Sequence, residues 1–264
     1  MAVQRKWNVG PAWLVGSVNQ FAELVCRTSF SFHEGASQPE EMVKQAASLG
    51  LHSVAITDRD GVYGLPRAHR AAQKYGVRII PGALLTIEEG PGVALLAHDM
   101  GGWSQLSRLI TEARSNMKKG WGCIPFLSLL ERASGMDAIL LGDWTEARIH
   151  LAREAFGGNL SIALTRHLDS QDAQRWDKRA LLSAKTHVPL VATGDVLMHT
   201  HHRAPLQDVL TCIRRKCTID QAGTTLQANA SRILRSPTAI QRLFSTAPCS
   251  IERSIEVANR CQFS

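Results

Sequence analysis

Strand-like apolar runs alternate with helix-like segments along most of this 264-residue chain. The apolar runs predict seven strands, at residues 21–26, 52–57, 77–82, 92–98, 137–142, 160–165 and 189–194. Helical spacing and capping residues predict a first helix between Ser37, its N-cap, and Gly50, which lies just past its end. Further helices are predicted at 66–75, 103–116, 126–132, 145–156, 170–185, 205–216, 237–244 and 250–261. We expect strands separated by helices to run parallel, because such a connection returns the chain to the same end of the sheet.

Charged residues follow several of the predicted strands. They are Arg27, Asp58, Arg59, Asp143, Arg166, His167 and Asp195, with Leu84 at the equivalent place after the third strand. An open sheet gathers such residues at one crevice, whereas an α/β barrel collects them around its whole carboxyl rim. The distribution therefore favours an α/β barrel of seven strands, followed by C-terminal helices.

Composition and charge exclude several classes of protein. The 30 basic and 23 acidic residues give a net charge of +7, a modest excess that is compatible with nearby nucleic acid. No apolar run approaches the roughly 20 residues of a membrane span, and the N-terminus lacks a signal-peptide pattern. The six cysteines form no Cys-x-x-Cys pair, which is typical of reduced thiols. We expect a cytoplasmic protein without a membrane partner.

Several segments together resemble one domain family. They are FAELVCRTSFSFHEGAS, LGLHSVAITDRDGVYGLPRAHRAA, IIPGALL, LLAHDMGGWSQLSRLIT and VPLVATGDVLMH, the last followed by PLQDVLTCIRR. In this order they resemble the N-terminal PHP (polymerase and histidinol phosphatase) domain of bacterial C-family DNA polymerases, especially the error-prone, translesion type. The resemblance implies a distorted seven-stranded (β/α)7 PHP barrel with C-terminal helices. It also implies an extension at 1–20, a barrel domain at 21–220 and a helical segment at 221–264 leading out of the domain, with the polymerase palm absent from this chain.

The same resemblance implies where a metal cluster would lie. Metal-binding PHP domains hold divalent metals with a ring of His, Asp, Glu and Cys at the barrel mouth. The ring positions that have lost their ligands are Val25, Arg27, Arg59, Leu84 and Leu197, with a further histidine position near Gly92. The acids that remain are Glu34, Asp58, Asp143 and Asp195. We therefore expect no catalytic residue, metal or cofactor in this segment, and magnesium would belong to the absent palm domain.

Two of the replaced positions carry arginine, which brings a permanent positive charge. Acids crowded at an emptied mouth would repel one another or take up protons. We expect Arg27 or Arg59 to form a direct ion pair with Asp195 or Asp58, so that a guanidinium replaces the lost metal charge.

Two other clusters have both a chemical and a structural interpretation. His199, His201 and His202, with Cys212 nearby, are not spaced like a structural zinc site, and a solvated loop is favoured. Arg214, Arg215 and Lys216 are a possible DNA contact. The last turn of a helix also commonly collects cations, because they complement the helix dipole.

Three functions remain open at this point. The leading one is a non-catalytic PHP scaffold within an error-prone C-family DNA polymerase that replicates across lesions in DNA repair. Its partners would be the remaining polymerase domains or mutasome subunits, with DNA bound through the polymerase. The second is a metal-dependent PHP-type phosphoesterase, and the third is a stand-alone interaction module that docks on polymerase subunits.

Overall fold

The computed structural model describes residues 20–88, 90–115, 117 and 122–263. Its strands are β1 (Ala22–Cys26), β2 (Ser53–Ile56), β3 (Arg78–Leu85), β4 (Val93–Ala97), β5 (Met136–Leu140), β6 (Leu160–Leu164) and β7 (Leu190–Ala192). All seven strands expected from the apolar runs are therefore confirmed. The predicted extension at 1–20 lies outside the described residues except for Gln20, and so does the predicted helix end at residue 116.

Ten α-helices surround these strands in the described part of the chain. They are α1 (Pro39–Ser48), α2 (Leu65–Tyr75), α3 (Met100–Ser115), α4 (Phe126–Glu131), α5 (Glu146–Phe156), α6 (Asp172–Thr186), α7 (Ala204–Arg215), α8 (Ile219–Ala222), α9 (Pro237–Leu243) and α10 (Pro248–Arg260). None of the helices in these ranges is long and apolar enough to cross a membrane.

The strands form one sheet in chain order, from β1 at one edge to β7 at the other. The pairs β1–β2, β2–β3, β5–β6 and β6–β7 are parallel, but β4 runs antiparallel to both β3 and β5. The expectation that strands separated by helices run parallel is therefore wrong for β4 and β5, which α3 and α4 separate, because β4 runs in the reverse direction. The physical reason is the short connection from Leu85 to Val93, since a parallel crossover needs about a dozen residues or more.

The sheet curls so that one face lines a common interior. Alternate strand residues form one buried apolar cluster that includes Ala55, Ile80, Ala94, Ile139, Ala163 and Val191. The intervening residues pack outward against the helices, as the two-residue strand period requires. A parallel bridge between Cys26 and Val196 brings the end of β1 beside the segment after β7. These contacts confirm the distorted seven-stranded barrel with C-terminal helices.

Helix α10 closes the base of the barrel, at the end where the parallel strands begin. Val257, Ala258 and Cys261 join the interior cluster. Ala22 N donates to Ser254 Oγ at 3.3 Å, and Arg253 Nε donates to Ser161 Oγ at 3.0 Å. The sequence predicted that residues 221–264 lead out of the domain. In the structure α10 belongs to the barrel core, and the predicted boundary at 220/221 falls inside α8.

The start of α1 differs from its prediction in one residue. The N-cap is Gln38, whose backbone N–H donates to Glu41 Oε2 at 2.8 Å. Ser37, the predicted cap, instead accepts a hydrogen bond from His199 N at 2.9 Å, and its Oγ lies 2.7 Å from His199 Nδ1. This hydroxyl therefore ties the loop before α1 to the segment that follows β7.

An arginine–carboxylate cluster at the barrel mouth

The end of β1 delivers Arg27 to the barrel mouth. Arg27 N donates to Val196 O at 3.0 Å, which fixes the backbone where the strand ends. The loop that follows folds back over this point, and Gly35 is essential there. A Cβ on Gly35 would lie 2.0 Å from Thr28 O, a separation that no side chain tolerates. The close approach brings Glu34 over the Arg27 guanidinium.

Asp195 reaches the same place from the other edge of the sheet. It follows β7 with a left-handed backbone (φ 47°), a conformation that Asp adopts more readily than most residues. Its N–H donates to Thr193 Oγ1 at 3.1 Å, and Val196 N donates to Val25 O at 2.8 Å. These bonds hold the carboxylate at the mouth, opposite β1.

The Arg27 guanidinium lies between two carboxylates. Its Nη1 is 3.1 Å from Glu34 Oε2, and its Nη2 donates to Asp195 Oδ1. Only 7% of the Arg27 side chain is exposed, so this is a buried bridge. Burial would raise the pKa of Asp195, but Arg232 and Arg27 outweigh it and hold that pKa well below its usual value. The expected pairing of Arg27 with Asp195 is confirmed.

Glu34 is held by two more guanidinium groups. Arg59 Nε lies 2.8 Å and Arg214 Nη1 2.7 Å from Glu34 Oε1. Burial would raise the pKa of Glu34, but attraction to Arg27 and Arg59 prevails and lowers it. Arg59, the second predicted arginine, therefore also pairs with a remaining acid.

Arg232 is the second cation on Asp195, and no sequence pattern pointed to it. Its Nε donates to Asp195 O at 2.9 Å, and its Nη2 donates to the Asp195 carboxylate. Leu197 N donates to Arg232 O at 2.9 Å, which fixes the backbone of this residue beside the mouth. Burial lowers the pKa of Arg232 to about 10, despite the attraction of Asp195. Arg232 lies in a polar stretch without periodicity, which explains why it was missed.

Two remaining acids do not join the cluster. Asp58 is buried and accepts from Thr28 N at 2.6 Å, Thr28 Oγ1 at 2.8 Å and Ser31 Oγ at 2.7 Å. Burial raises the pKa of Asp58 in spite of these bonds. Of the two acids expected to pair with an arginine, Asp195 does so, whereas Asp58 has no ion pair among the described residues. Asp143 is exposed and lies 3.0 Å from Lys178 Nζ, away from the mouth. The exposed loop after β5 accounts for its separation.

The positions that have lost ligands fit no metal cluster. Val25, Leu84 and Leu197 have buried apolar side chains, which contain no atom that could coordinate a metal. Gly92 has no side chain, and a Cβ there would lie 3.0 Å from Leu84 Cδ1. The two carboxylates that do face the mouth are each engaged by more than one guanidinium. A divalent cation placed among these groups would face repulsion from fixed positive charges.

Two further titratable side chains lie beside the cluster. Glu23 is buried within the barrel and accepts from Gly194 N at 2.8 Å, Val25 N at 3.2 Å and the Thr193 hydroxyl. Burial raises the pKa of Glu23 to about 7. His167 Nε2 lies 3.7 Å from Asp195 Oδ2, and burial together with Arg232 lowers the pKa of His167 to about 4. His167 is therefore neutral at pH 7.

The other predicted clusters lie elsewhere. Arg215 and Lys216 are exposed at the end of α7, while their neighbour Arg214 turns toward Glu34. His201 and His202 are exposed with ring centroids 4.0 Å apart. His199 is engaged by Ser37, so the three histidines do not converge on Cys212.

A different group of potential metal ligands lies at the base of the barrel. Ligand atoms of His98, Asp137 and Cys261 all lie within 4.8 Å of one another. Asp137 is already paired, because Arg260 donates to it at 2.6 and 2.9 Å and His98 Nε2 lies 2.7 Å from Oδ2. Burial raises the pKa of the Cys261 thiol to about 12. These three side chains could offer ligands, although Asp137 already has a cationic partner.

The barrel is thus a seven-stranded sheet with one antiparallel strand and a polar mouth at its carboxyl end. The family model of the PHP domain matches residues 23–179. The chain belongs to the PHP domain family, as the segments quoted above indicate.

Comparison with other proteins gives matches of two kinds. The chain is 37% identical over 260 residues to the error-prone DNA polymerase of Anaeromyxobacter dehalogenans (92% of this chain, 22% of that protein). It is 36% identical over 253 residues to the error-prone DNA polymerase of Pseudomonas aeruginosa (96% and 24%). It thus spans less than a quarter of these relatives. An amidohydrolase structure from Chromobacterium violaceum matches with a TM-score of 0.48 and 14% identity, over 67% of this chain and 87% of that chain.

Proposed function

We propose that this chain is a non-catalytic PHP scaffold of an error-prone DNA polymerase. The observation that carries the proposal is the position of Arg27, whose guanidinium bridges Glu34 and Asp195 at the mouth. A bridge of this kind supplies fixed positive charge and consumes the carboxylates that a metal would need. Glu34 and Asp195 are then engaged by arginines and do not hold a metal that would activate a water molecule, and the proposed role of the segment is structural.

The activity proposed for the whole protein is template-directed DNA synthesis across lesions. Its support is the similarity to error-prone DNA polymerases, of which this chain spans 22–24%. Magnesium would serve a palm domain outside this chain, because phosphoryl transfer needs clustered carboxylates that hold the metal. DNA and the remaining polymerase domains or mutasome subunits are the proposed partners, in the cytoplasm.

Exposed apolar side chains on α7 and α8 favour a docking role within that assembly. Leu206, Val209, Ile213 and Ile219 are 40–54% exposed, and the first three recur at helical spacing. Apolar groups at such exposure on one helix face are typical of surfaces that contact another protein segment. The same face supports the alternative of a stand-alone interaction module that docks on polymerase subunits.

An activity assay tests the scaffold proposal against a metal-dependent phosphoesterase. The purified chain is incubated with a chromogenic phosphomonoester and with 3′-labelled single-stranded DNA, with manganese, zinc or magnesium added. We expect no turnover above the buffer control. Turnover that disappears both with chelator and with Asp195→Asn would overturn the proposal. Exposed Asp143→Asn is the matched control, because Asp143 lies outside the cluster.

A further inference from the structure

A polar pocket opens beside the Arg27 bridge. It has a volume of about 180 Å³. Its lining consists of charged or amide side chains with one leucine: Arg27, Glu34, Arg59, Leu197, Gln207, Arg214, Gln227 and Arg232. The pocket is therefore suited to a small polar ligand and poorly suited to an apolar one.

The charges around this pocket do not balance. Four arginines and two carboxylates line it or pair with its lining, which gives 4 − 2 = +2 at neutral pH. Both carboxylates are shared between guanidiniums, so the positive excess has no acidic partner there. An anion in the pocket would complete the balance, because opposite charges attract strongly where water is partly excluded.

Donor groups remain available to such an anion. The side chains of Arg59 and Arg214 are 34% and 38% exposed, and each uses one nitrogen on Glu34. Among the described residues, Nη2 of Arg59 and both Nε and Nη2 of Arg214 have no hydrogen-bond acceptor. Guanidinium groups present paired N–H donors that match the oxygens of phosphate.

Gln207 adds a second, independent feature. The residue is 2% exposed and lines the pocket, and its Oε1 has no hydrogen-bond partner among the residues that the structure describes. Its Nε2 donates to Thr211 Oγ1 at 3.0 Å. Turning the amide over lets Oε1 accept from the Thr211 hydroxyl and offers Nε2 to the pocket. A buried amide group without a partner beside a polar pocket is what a missing ligand would leave.

We propose that this pocket binds a phosphate-class oxyanion, either inorganic phosphate or a terminal phosphomonoester, through Arg59, Arg214 and Gln207. Arg27 and Arg232 supply fixed positive charge behind these donors. The site goes beyond the scaffold function, because it requires binding alone and no hydrolysis. Loss of phosphate binding would therefore leave the scaffold proposal standing, and hydrolysis would overturn the scaffold without removing the site.

Calorimetric titration with inorganic phosphate tests the site in the 264-residue chain. The buffer holds chloride at constant ionic strength, so that non-specific screening is the same throughout. We expect saturable binding of one phosphate per chain. Absence of saturable binding would overturn the proposal.

Variants locate the binding on the chain. Arg214→Gln should weaken phosphate binding about tenfold, because the variant loses one charge-assisted hydrogen bond. Arg215→Gln is the matched control, since Arg215 is adjacent and exposed but does not line the pocket. We expect it to change the affinity less than about twofold. Equal effects of the two variants would contradict the assignment.

Glu34→Gln gives a result of opposite sign. It removes a competing carboxylate from the pocket, so phosphate should bind more tightly than to the unaltered chain. Unchanged or weaker binding to a folded Glu34→Gln protein would count against the proposal. Circular dichroism verifies the fold, and if this variant does not fold, the Arg214 and Arg215 pair decides the question.

Oligonucleotides distinguish the two sources of the anion. Single-stranded DNA with a 5′-phosphate is compared with the same strand lacking it, in the presence and absence of inorganic phosphate. Preference for the phosphorylated end, removed by inorganic phosphate and by Arg214→Gln, assigns the pocket to a terminal phosphomonoester. Equal binding of the two strands, with phosphate still bound, assigns it to the free anion.

Discussion

Arg27 and Asp195, 168 residues apart in the chain, form a buried ion pair where the two edges of the sheet meet. The pair links the end of β1 to the segment after β7, next to the backbone bonds that join Arg27 N to Val196 O and Val196 N to Val25 O. A position that the family resemblance assigns to a metal-binding histidine thus contributes a fixed charge to barrel closure.

Arg27→Met should destabilise the domain by about 3–5 kcal/mol, because it leaves carboxylates in a buried site with less compensation. Arg232 still holds Asp195 after Arg27→Met, so Asp195→Asn should cost less stability in that background than in the unaltered chain, where it also removes the partner of Arg27. Urea unfolding of Arg27→Met, Asp195→Asn and the double variant measures this difference. Arg215→Met is the exposed control and should change stability by less than about 0.5 kcal/mol. Additive effects of Arg27→Met and Asp195→Asn would show that Arg27 acts through packing.

Glu23 should make stability depend on pH near neutrality. Its pKa is about 7 in the folded chain and 4.5 as a free group, so the folded state binds the extra proton between these values. The contribution of Glu23 to folding stability is complete below pH 4.5 and is lost as the pH rises through 7. His167 opposes this trend, because its folded pKa is lowered to about 4. The difference in stability between Glu23→Gln and the unaltered chain therefore isolates the effect of Glu23 better than the pH dependence of the unaltered chain does.

The free energy of unfolding of Glu23→Gln, relative to that of the unaltered chain, should rise by about 2–3 kcal/mol from pH 5 to pH 8. Urea unfolding at the two pH values gives the difference, and exposed Glu154→Gln serves as the control. A difference that stays constant across this range would mean that Glu23 is ionised in the folded chain throughout.

Gly35→Ala should destabilise the domain by about 2 kcal/mol or more, because the new Cβ would meet Thr28 O at 2.0 Å. Glu34 would then move away from Arg27, and the buried bridge would lose one of its two carboxylates. Gly158→Ala is the matched control, since nothing lies within 4 Å of its added Cβ. Thermal unfolding of both variants is the measurement, and equal midpoints would contradict the account of the loop.

DNA binding should be weak, independent of base sequence and strongly reduced by salt. The net charge of +7 supplies attraction, but Arg214 is engaged by Glu34, and only Arg215 and Lys216 of that group point freely outward. Fluorescence anisotropy with two unrelated oligonucleotides at low and high salt measures this. Affinity that survives high salt and depends on sequence would contradict it.

The sequence could predict the strands because each is a short apolar run between turn residues. It left the direction of β4 open, since no helix was predicted between the third and fourth strands and an apolar run such as Val93–Ala97 has no direction of its own. The family resemblance brought Arg27, Glu34 and Asp195 together correctly. Asp143 was placed at the mouth although its loop points to solvent. Asp58 was one of two acids expected to pair with an arginine, but it accepts hydrogen bonds from nearby hydroxyls instead.

Arg232 could not be found from the sequence at all. Its position depends on backbone pairing with the segment after β7, through the bonds from Leu197 N and Met198 N to Arg232 O. Such pairing between irregular segments leaves no periodic signal, because neither partner repeats a burial pattern. The net charge of the mouth therefore could not be predicted without the structure, because the sequence does not show that Arg232 lies there.

We propose that guanidinium groups have replaced metal ions at the mouth. The most direct measurement is the metal content of the purified chain after equilibration with zinc or manganese and removal of free ion, compared with Asp195→Asn and Cys261→Ser. The account predicts no metal that depends on Asp195. Metal lost only in Cys261→Ser would lie at the base, with His98 and Asp137, and would leave the claim intact. Near-stoichiometric metal that is lost in Asp195→Asn and kept in Cys261→Ser would contradict it.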